Sequence, residues 1–164
     1  MKPPEDGRRT LLQIRIWVTL FIVGLVLSGI TAFPLQWELD LLARWIDADL
    51  SAPEGSLRWW IARVHDGLNT TYRSYSFLGY GTDWLAFGHI VIAMFFIGPW
   101  RDPVKNAWVL RVGIAACVGV IPLALICGSV RGIPFYWRLI DCSFGILGTV
   151  PLWWCLRLIR RLER

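Results

Sequence analysis

Four long apolar segments, each bordered by tryptophan or arginine residues, constrain this sequence more than any other feature. They lie at about residues 11–33, 82–100, 107–129 and 135–158. About 20 helical residues, each rising 1.5 Å, cross the roughly 30 Å hydrocarbon core of a bilayer. Hydrophobic residues make up 55% of the chain, more than a water-soluble domain of this size needs. We therefore predict an all-α membrane protein, a bundle of four transmembrane helices forming a single domain over residues 1–164.

The segment between the first two spans, residues 34–81, shows helical periodicity twice. Apolar residues share one face of each stretch: Leu35, Leu39, Leu42, Ile46 and Leu50 in the first, and Leu57, Trp60, Ile61, Val64 and Leu68 in the second. The opposite face of the first stretch carries Glu38, Asp40, Arg44 and Asp47. This pattern predicts two amphipathic helices that lie along the membrane surface or cap the bundle. Pro53 and Gly55 separate the two helices, and residues 72–81 are predicted to be a loop.

The distribution of basic residues predicts the orientation in the membrane. Four spans place both termini on one side, together with the turn that follows the second span. That side carries 11 of the 17 lysines and arginines: Lys2, Arg8, Arg9, Arg15, Arg101, Lys105, Arg111, Arg157, Arg160, Arg161 and Arg164. The positive-inside rule then predicts a multi-pass protein of the cell (inner) membrane with both termini in the cytoplasm and residues 34–81 outside. Because the basic residues border the spans instead of covering a soluble face, no nucleic-acid partner is predicted.

Five polar residues fall at or just inside the predicted outer ends of two spans: Asp83, His89, Arg131, Arg138 and Asp141. Ionisable side chains inside a bilayer are costly and usually face the interior of the bundle. His89 lies six residues past Asp83, and Asp141 lies six residues past the start of the fourth span. Each is therefore about 9 Å along its helix from the outer end. This common depth predicts an outward-facing polar pocket.

Two interpretations of this pocket stay open. In the structural one, Arg138 and Asp141 are three residues apart and neutralise each other, while His89 holds two helices together through a hydrogen bond. In the functional one, His89 and Asp141 form a proton-transfer pair. The arginines would then bind an anionic lipid headgroup or a phosphate.

The sequence does not nominate a catalytic residue, a metal site or a cofactor. His65 and His89 are the two histidines, and no two of the four cysteines have the C-x-x-C spacing of zinc or redox sites. No phosphate-binding loop, dinucleotide fingerprint or G-x-S-x-G motif is present. Whether the chain is an enzyme is therefore left open.

Residues from about 80 to 150 resemble the VanZ-like family of small bacterial membrane proteins. Asp83 and His89 match an aspartate that precedes a histidine at the start of one span in that family. Arg131, Asp141 and Gly148 match a later arginine and the D-x3-N-x2-G motif of a following span. The chain departs from the family at Gly145, where the motif has asparagine, and its Asp–His spacing is longer. The resemblance implies a role in the cell envelope without a defined reaction.

These observations predict a non-enzymatic bacterial envelope protein that binds lipid or a partner membrane protein through the polar pocket and residues 34–81. The alternative is a small membrane enzyme or transporter subunit that uses His89 and Asp141 for proton transfer or for binding an anion or lipid headgroup. Small residues four apart, Gly24 with Ser28 and Ala115 with Gly119, allow close helix packing, and homo-oligomers are predicted on this basis. Gly145 and Gly148 are predicted to allow similar packing by the fourth span.

Overall fold

The computed structural model describes residues 5–163, and their side chains from residue 7 onward. Lys2 and Arg164, which belong to the basic residues counted above, lie outside the described residues. All regular elements of the described part are helical, which confirms the predicted all-α class. The helices are α1 (Glu5–Ala32), α2 (Leu35–Trp45), α3 (Leu57–Ser74), α4 (Gly79–Phe95), α5 (Ile97–Arg101), α6 (Ala107–Val130) and α7 (Phe135–Leu162), with a 3₁₀ turn at Ser76–Leu78.

Four helical stretches in the described residues are long and apolar enough to cross a membrane. They are Gly7–Ala32, Ser76–Arg101, Ala107–Val130 and Phe135–Leu162. They match the four predicted spans, and α2 and α3 are the two amphipathic helices predicted between the first two spans. The chain thus has the architecture of an all-α membrane protein.

The predicted loop at residues 72–81 is wrong, because nearly all of this segment is helical. The helix α3 continues to Ser74, and the chain changes direction at Tyr75 before the 3₁₀ turn. The hydroxyls of Tyr72 and Thr82 are hydrogen-bonded at 3.2 Å, which ties the end of α3 to the start of α4. Gly79 makes room for this arrangement, since a Cβ there would lie 3.2 Å from the Tyr72 ring.

The second span reaches Arg101, close to its predicted end at residue 100, but its helix is interrupted inside the span. The helix α4 ends at Phe95, and the short helix α5 follows with Pro99 inside it. Proline has no N–H to donate, so the ladder of helical hydrogen bonds is interrupted one turn before it. The amide of Asn106 then donates to the carbonyl oxygens of Gly98 (3.2 Å) and Asp102 (2.9 Å), which closes the turn into α6.

The described residues form two compact units, and the first consists of the chain up to Leu25 and from Ile92 onward. Its buried core combines side chains of α1, α6 and α7 with Phe96: Ile14, Val18, Phe96, Leu110, Leu152, Cys155, Leu158 and Ile159 among others. The helices α6 and α7 approach closely where Gly145 lies against the backbone of Cys117. A Cβ at Gly148 would lie 2.7 Å from the Cys117 sulfur. The prediction that these two glycines allow close packing is therefore confirmed.

The other two predicted pairs of small residues do not form helix contacts within the described residues. A Cβ at Gly24 or at Gly119 would have no atom within 4 Å. Ser28 and Ala115 are also exposed. These positions face outward, so their use in an oligomer stays a prediction.

The second unit, Val26–Val91, contains the end of α1, the helices α2 and α3, and most of α4. The end of α1 packs on α4, since a Cβ at Gly29 would lie 2.8 Å from the carbonyl oxygen of Ala86. The link between α2 and α3 contains two residues with positive φ, Asp47 (56°) and Gly55 (82°). Ser56 caps α3 by accepting a hydrogen bond from the Trp59 backbone N–H at 3.3 Å. The link therefore reverses the chain, and α2 and α3 form an antiparallel hairpin.

We expect Gly145→Ala to lower the free energy of unfolding by about 1–3 kcal/mol, because the added methyl group overpacks the α6–α7 contact. Gly119→Ala is the matched control, since it makes the same change in a helix with open space around it. Thermal unfolding in a mild detergent, followed by circular dichroism, measures both. Equal stability of the two variants would show that the Gly145 contact does not hold the helices together.

Candidate functional site

An open cleft of about 800 Å³ lies between α2 and α3. It lies within the second unit and is lined by residues of both helices and of the link after α2. Most of its side chains are polar or charged: Gln36, Asp40, Arg44, Asp47, Asp49, His65, Asp66, Asn69 and Arg73. The sequence pattern placed Asp40, Arg44 and Asp47 on the face opposite the apolar residues of α2. In the structure that face lines the cleft.

Three pairs of polar side chains join the helices along this cleft. The pairs are Gln36 with Asn69 (2.5 Å), Asp40 with His65 (2.7 Å) and Asp47 with Arg58 (2.9 Å). In every pair the two residue numbers add to 105, which defines a single antiparallel register. This register places Ala43 opposite Ala62, and both of these small residues lie beside the cleft. Polar pairs and small residues therefore form the contact between the two helices.

His65 is the centre of a hydrogen-bond chain within the cleft. Its Nε2 lies 2.7 Å from the Asp40 carboxylate and 3.0 Å from the Asn69 amide. A carboxylate only accepts, so Nε2 donates its proton to Asp40. The Gln36 amide nitrogen donates to the Asn69 amide oxygen at 2.5 Å. Gln36, Asn69, His65 and Asp40 therefore form one continuous series of polar contacts between α2 and α3.

Four other charged residues line the cleft without an ion pair to any described side chain. They are Arg44, Asp49, Asp66 and Arg73. Asp49 does accept a hydrogen bond from the Ser51 backbone N–H at 2.8 Å. Both signs of charge are therefore available to a bound molecule within one cleft.

Two of the five residues predicted to form the polar pocket, Asp83 and His89, belong to the second unit. Asp83 is exposed near the start of α4. His89 is half-buried, and its Nδ1 donates to the carbonyl oxygen of Leu85 at 2.8 Å. This bond places the proton of a neutral imidazole on Nδ1, so Nε2 is an acceptor with no partner among the described residues.

The other three predicted pocket residues, Arg131, Arg138 and Asp141, belong to the first unit. Arg131 is exposed in the turn after α6. The Arg138 guanidinium donates to the carbonyl oxygen of Leu125 at 3.2 Å and lies 5.3 Å from the centre of the Phe135 ring.

Asp141 is half-buried and has no hydrogen bond or ion pair among the described residues. The structural interpretation that paired Arg138 with Asp141 is therefore wrong, since the guanidinium binds a backbone oxygen instead. A small residue, Gly128, makes room for the Arg138 chain, because a Cβ there would lie 2.7 Å from Arg138 Cδ.

The predicted pocket combines residues of two units. That these residues lie together in one pocket stays a prediction. Along its own helix, His89 lies ten residues from the start of α4, about 15 Å, because α4 begins at Gly79. Asp141 lies six residues, about 9 Å, from the start of α7. No group of three histidine, cysteine, aspartate or glutamate residues in the described chain is arranged to hold a metal ion.

The cleft between α2 and α3 was not predicted from the sequence, although a signal for it is present. The polar residues that cross the seam from α2 and the start of the link after it, Gln36, Asp40 and Asp47, are spaced by four and then seven residues. Their partners on α3, Arg58, His65 and Asn69, are spaced by seven and then four. When two antiparallel helices pair, the spacing of the contact residues on one helix is the reverse of the spacing on the other. The pattern is therefore visible only when the two helices are compared.

We expect a disulfide to form on oxidation of the double variant Ala43→Cys with Ala62→Cys, because the register places these positions opposite each other. Ala43→Cys with Arg63→Cys is the control, since Arg63 lies on another face of α3 and stacks on Trp59 at 5.1 Å. Peptide mass mapping after mild oxidation in membranes identifies the bond and excludes the native cysteines. Equal yields in the two variants would contradict the register.

No family model matches this chain, and neither does any curated protein or solved structure. The resemblance to the VanZ-like family therefore stays a prediction. Arguments about function depend on the residues and the geometry described above.

Proposed function

We propose that this chain is a non-enzymatic, multi-pass protein of the bacterial envelope whose α2–α3 cleft binds a zwitterionic lipid headgroup. The observation that carries this proposal is the presence of unpaired arginines and unpaired aspartates in one cleft. A phosphoethanolamine headgroup has both a phosphate and an ammonium, so it complements both sets. The cleft volume of about 800 Å³ lies within the range of small-molecule sites.

Each charged group of such a headgroup has suitable partners in the cleft. Arg44 lies toward the link between the helices and Arg73 toward the end of α3, and each guanidinium offers N–H donors that match phosphate oxygens. The carboxylates of Asp49 and Asp66 accept hydrogen bonds from an ammonium. The hydrogen bond between His65 and Asp40 holds these two side chains of the cleft in place before a lipid binds. Binding therefore costs less side-chain entropy.

The exposed apolar residues of α2 support the proposal that the cleft lies at the depth of the lipid headgroups. Trp37, Leu41 and Trp45 follow one another at four-residue intervals, and Trp45 is 85% exposed. Tryptophan prefers the interface between the hydrocarbon core and the headgroups. A hairpin lying at this interface has the headgroups of surrounding lipids beside its polar cleft.

The proposal includes a membrane orientation. Four transmembrane helices with both termini in the cytoplasm are supported by the four apolar helices and by the basic residues at their ends. This orientation assigns α2 and α3 to the outer surface of the inner membrane. An envelope role of this kind agrees with what the VanZ-like resemblance implies.

We expect Arg44→Gln with Arg73→Gln to weaken binding of phosphatidylethanolamine at least about tenfold. Loss of charge-assisted hydrogen bonds costs about 1.5–3 kcal/mol, and 1.4 kcal/mol corresponds to a factor of ten. Native mass spectrometry of the purified protein, titrated with the lipid in mild detergent, measures the bound fraction.

The control for this experiment is Arg160→Gln with Arg161→Gln, which removes the same charge from the exposed end of α7. Circular dichroism confirms that both double variants are folded. Equal binding by the cleft variant and the wild type would reject the lipid site. An equally large loss of lipid binding in the control would show that total positive charge, and not the cleft, determines binding.

A second candidate function, a small enzyme or transporter subunit that moves protons, is favoured by two unsatisfied groups. Asp141 has no hydrogen bond among the described residues, and His89 has a free acceptor at Nε2. Polar groups at such positions in membrane helices are costly, and proton relays are built from them.

We expect His89→Ala and Asp141→Ala each to change the free energy of unfolding by less than about 1 kcal/mol, because neither side chain bonds to another described side chain. Thermal unfolding of the single and double variants in mild detergent measures this. Losses of about 1–3 kcal/mol in each single variant, with little further loss in the double, would instead identify one structural hydrogen-bonded pair.

A further inference from the structure

We infer that the beginning of α1 carries a second lipid site, which takes the phosphate of an anionic phospholipid. A groove of about 450 Å³ lies along this part of the helix in the first unit. Its lining consists of three arginines and two leucines: Arg8, Arg9, Leu11, Leu12 and Arg15. None of the described residues that line it is an aspartate or a glutamate. The groove therefore differs in charge from the α2–α3 cleft, and the inference does not depend on the function proposed for that cleft.

Arg15 is held in position before any ligand binds. Its Nε donates to the carbonyl oxygen of Trp100 at 3.3 Å, and its guanidinium lies 5.2 Å from the centre of the Trp100 ring. The Trp100 indole is itself fixed, because its Nε1 donates to the Thr19 hydroxyl at 3.1 Å. The two terminal nitrogens of Arg15 have no partner among the described residues. An arginine that is already ordered loses less side-chain entropy when it binds a phosphate.

The helical spacing brings Arg8 to the same face as Arg15, seven residues away, with Leu12 between them. Arg8 and Arg9 are exposed and form no ion pair with a described side chain. Two or three guanidinium groups at one groove match the oxygens of a phosphate, which accept bidentate hydrogen bonds.

The leucines favour a phospholipid over free phosphate as the occupant. Leu12 is 60% exposed although it lies between arginines. An acyl chain covers such an apolar surface, whereas a hydrated phosphate ion gains nothing from it. The Trp100 ring also favours the interface depth at which lipid phosphates lie. The groove thus combines anion donors with an apolar surface, which match the phosphate and the acyl chain of a phospholipid.

The experiment uses the full chain in mild detergent and native mass spectrometry with phosphatidylglycerol as the probe. Arg8→Gln with Arg9→Gln is the main variant, because both side chains are exposed and their loss leaves the core unchanged. We expect it to bind phosphatidylglycerol at least about tenfold more weakly than the wild type, corresponding to about 1.4 kcal/mol or more. Arg160→Gln with Arg161→Gln removes the same charge from the end of α7 and is expected to bind within about twofold of the wild type.

Two further measurements distinguish a phospholipid from inorganic phosphate as the ligand. Leu12→Gln is expected to weaken lipid binding while all three arginines remain, since it removes the apolar surface. Inorganic phosphate at millimolar concentration is expected to leave the bound lipid in place. Displacement of the lipid by inorganic phosphate would identify a free-anion site and overturn the proposal. An equal loss in the Arg160 and Arg161 variant would overturn it as well, because general charge would then explain the binding.

Discussion

The fold depends on one constraint: a lipid bilayer offers no hydrogen-bond partner to a backbone N–H or C=O group. Only structures that satisfy these groups internally cross the hydrocarbon core, and for one short chain this means helices. The described residues follow this constraint closely, since the long apolar segments are helical with one interruption, at Phe96 in the second segment. Lipid also removes the usual hydrophobic drive to bring helices together. Close contact at small residues replaces it, and Gly145 against the Cys117 backbone is the clearest instance.

Three arginines of the long apolar helices are held by aromatic rings or backbone oxygens. Arg15 and Arg138 each combine a carbonyl acceptor with a nearby ring, and Arg157 lies 3.8 Å from the centre of the Trp153 ring. None of these three forms an ion pair with a described carboxylate. Tryptophans at the ends of the spans therefore have two roles, since they prefer interfacial depth and also hold the cationic side chains there.

The sequence predicted the parts of the fold that depend on local pattern. Apolar length identified the four membrane-crossing helices, and apolar periodicity identified α2 and α3. It did not predict the helical turns at residues 72–81, because Ser, Tyr and Gly are typical of loops and the contact of Tyr72 with Thr82 is tertiary. The cleft was missed for a similar reason. The periodicity of apolar residues shows which face of a helix is apolar, but the partner of a polar face depends on the register of another helix.

The α2–α3 hairpin has a consequence that follows from the chemistry of its seam. Hydrogen bonds and one ion pair join its helices, with Ala43 and Ala62 as small contacts between them. Such bonds are weak where water competes and stronger where water is scarce. The stability of the hairpin is therefore expected to depend on how much water reaches the seam. We expect the hairpin to be closed more firmly at a membrane surface than in water.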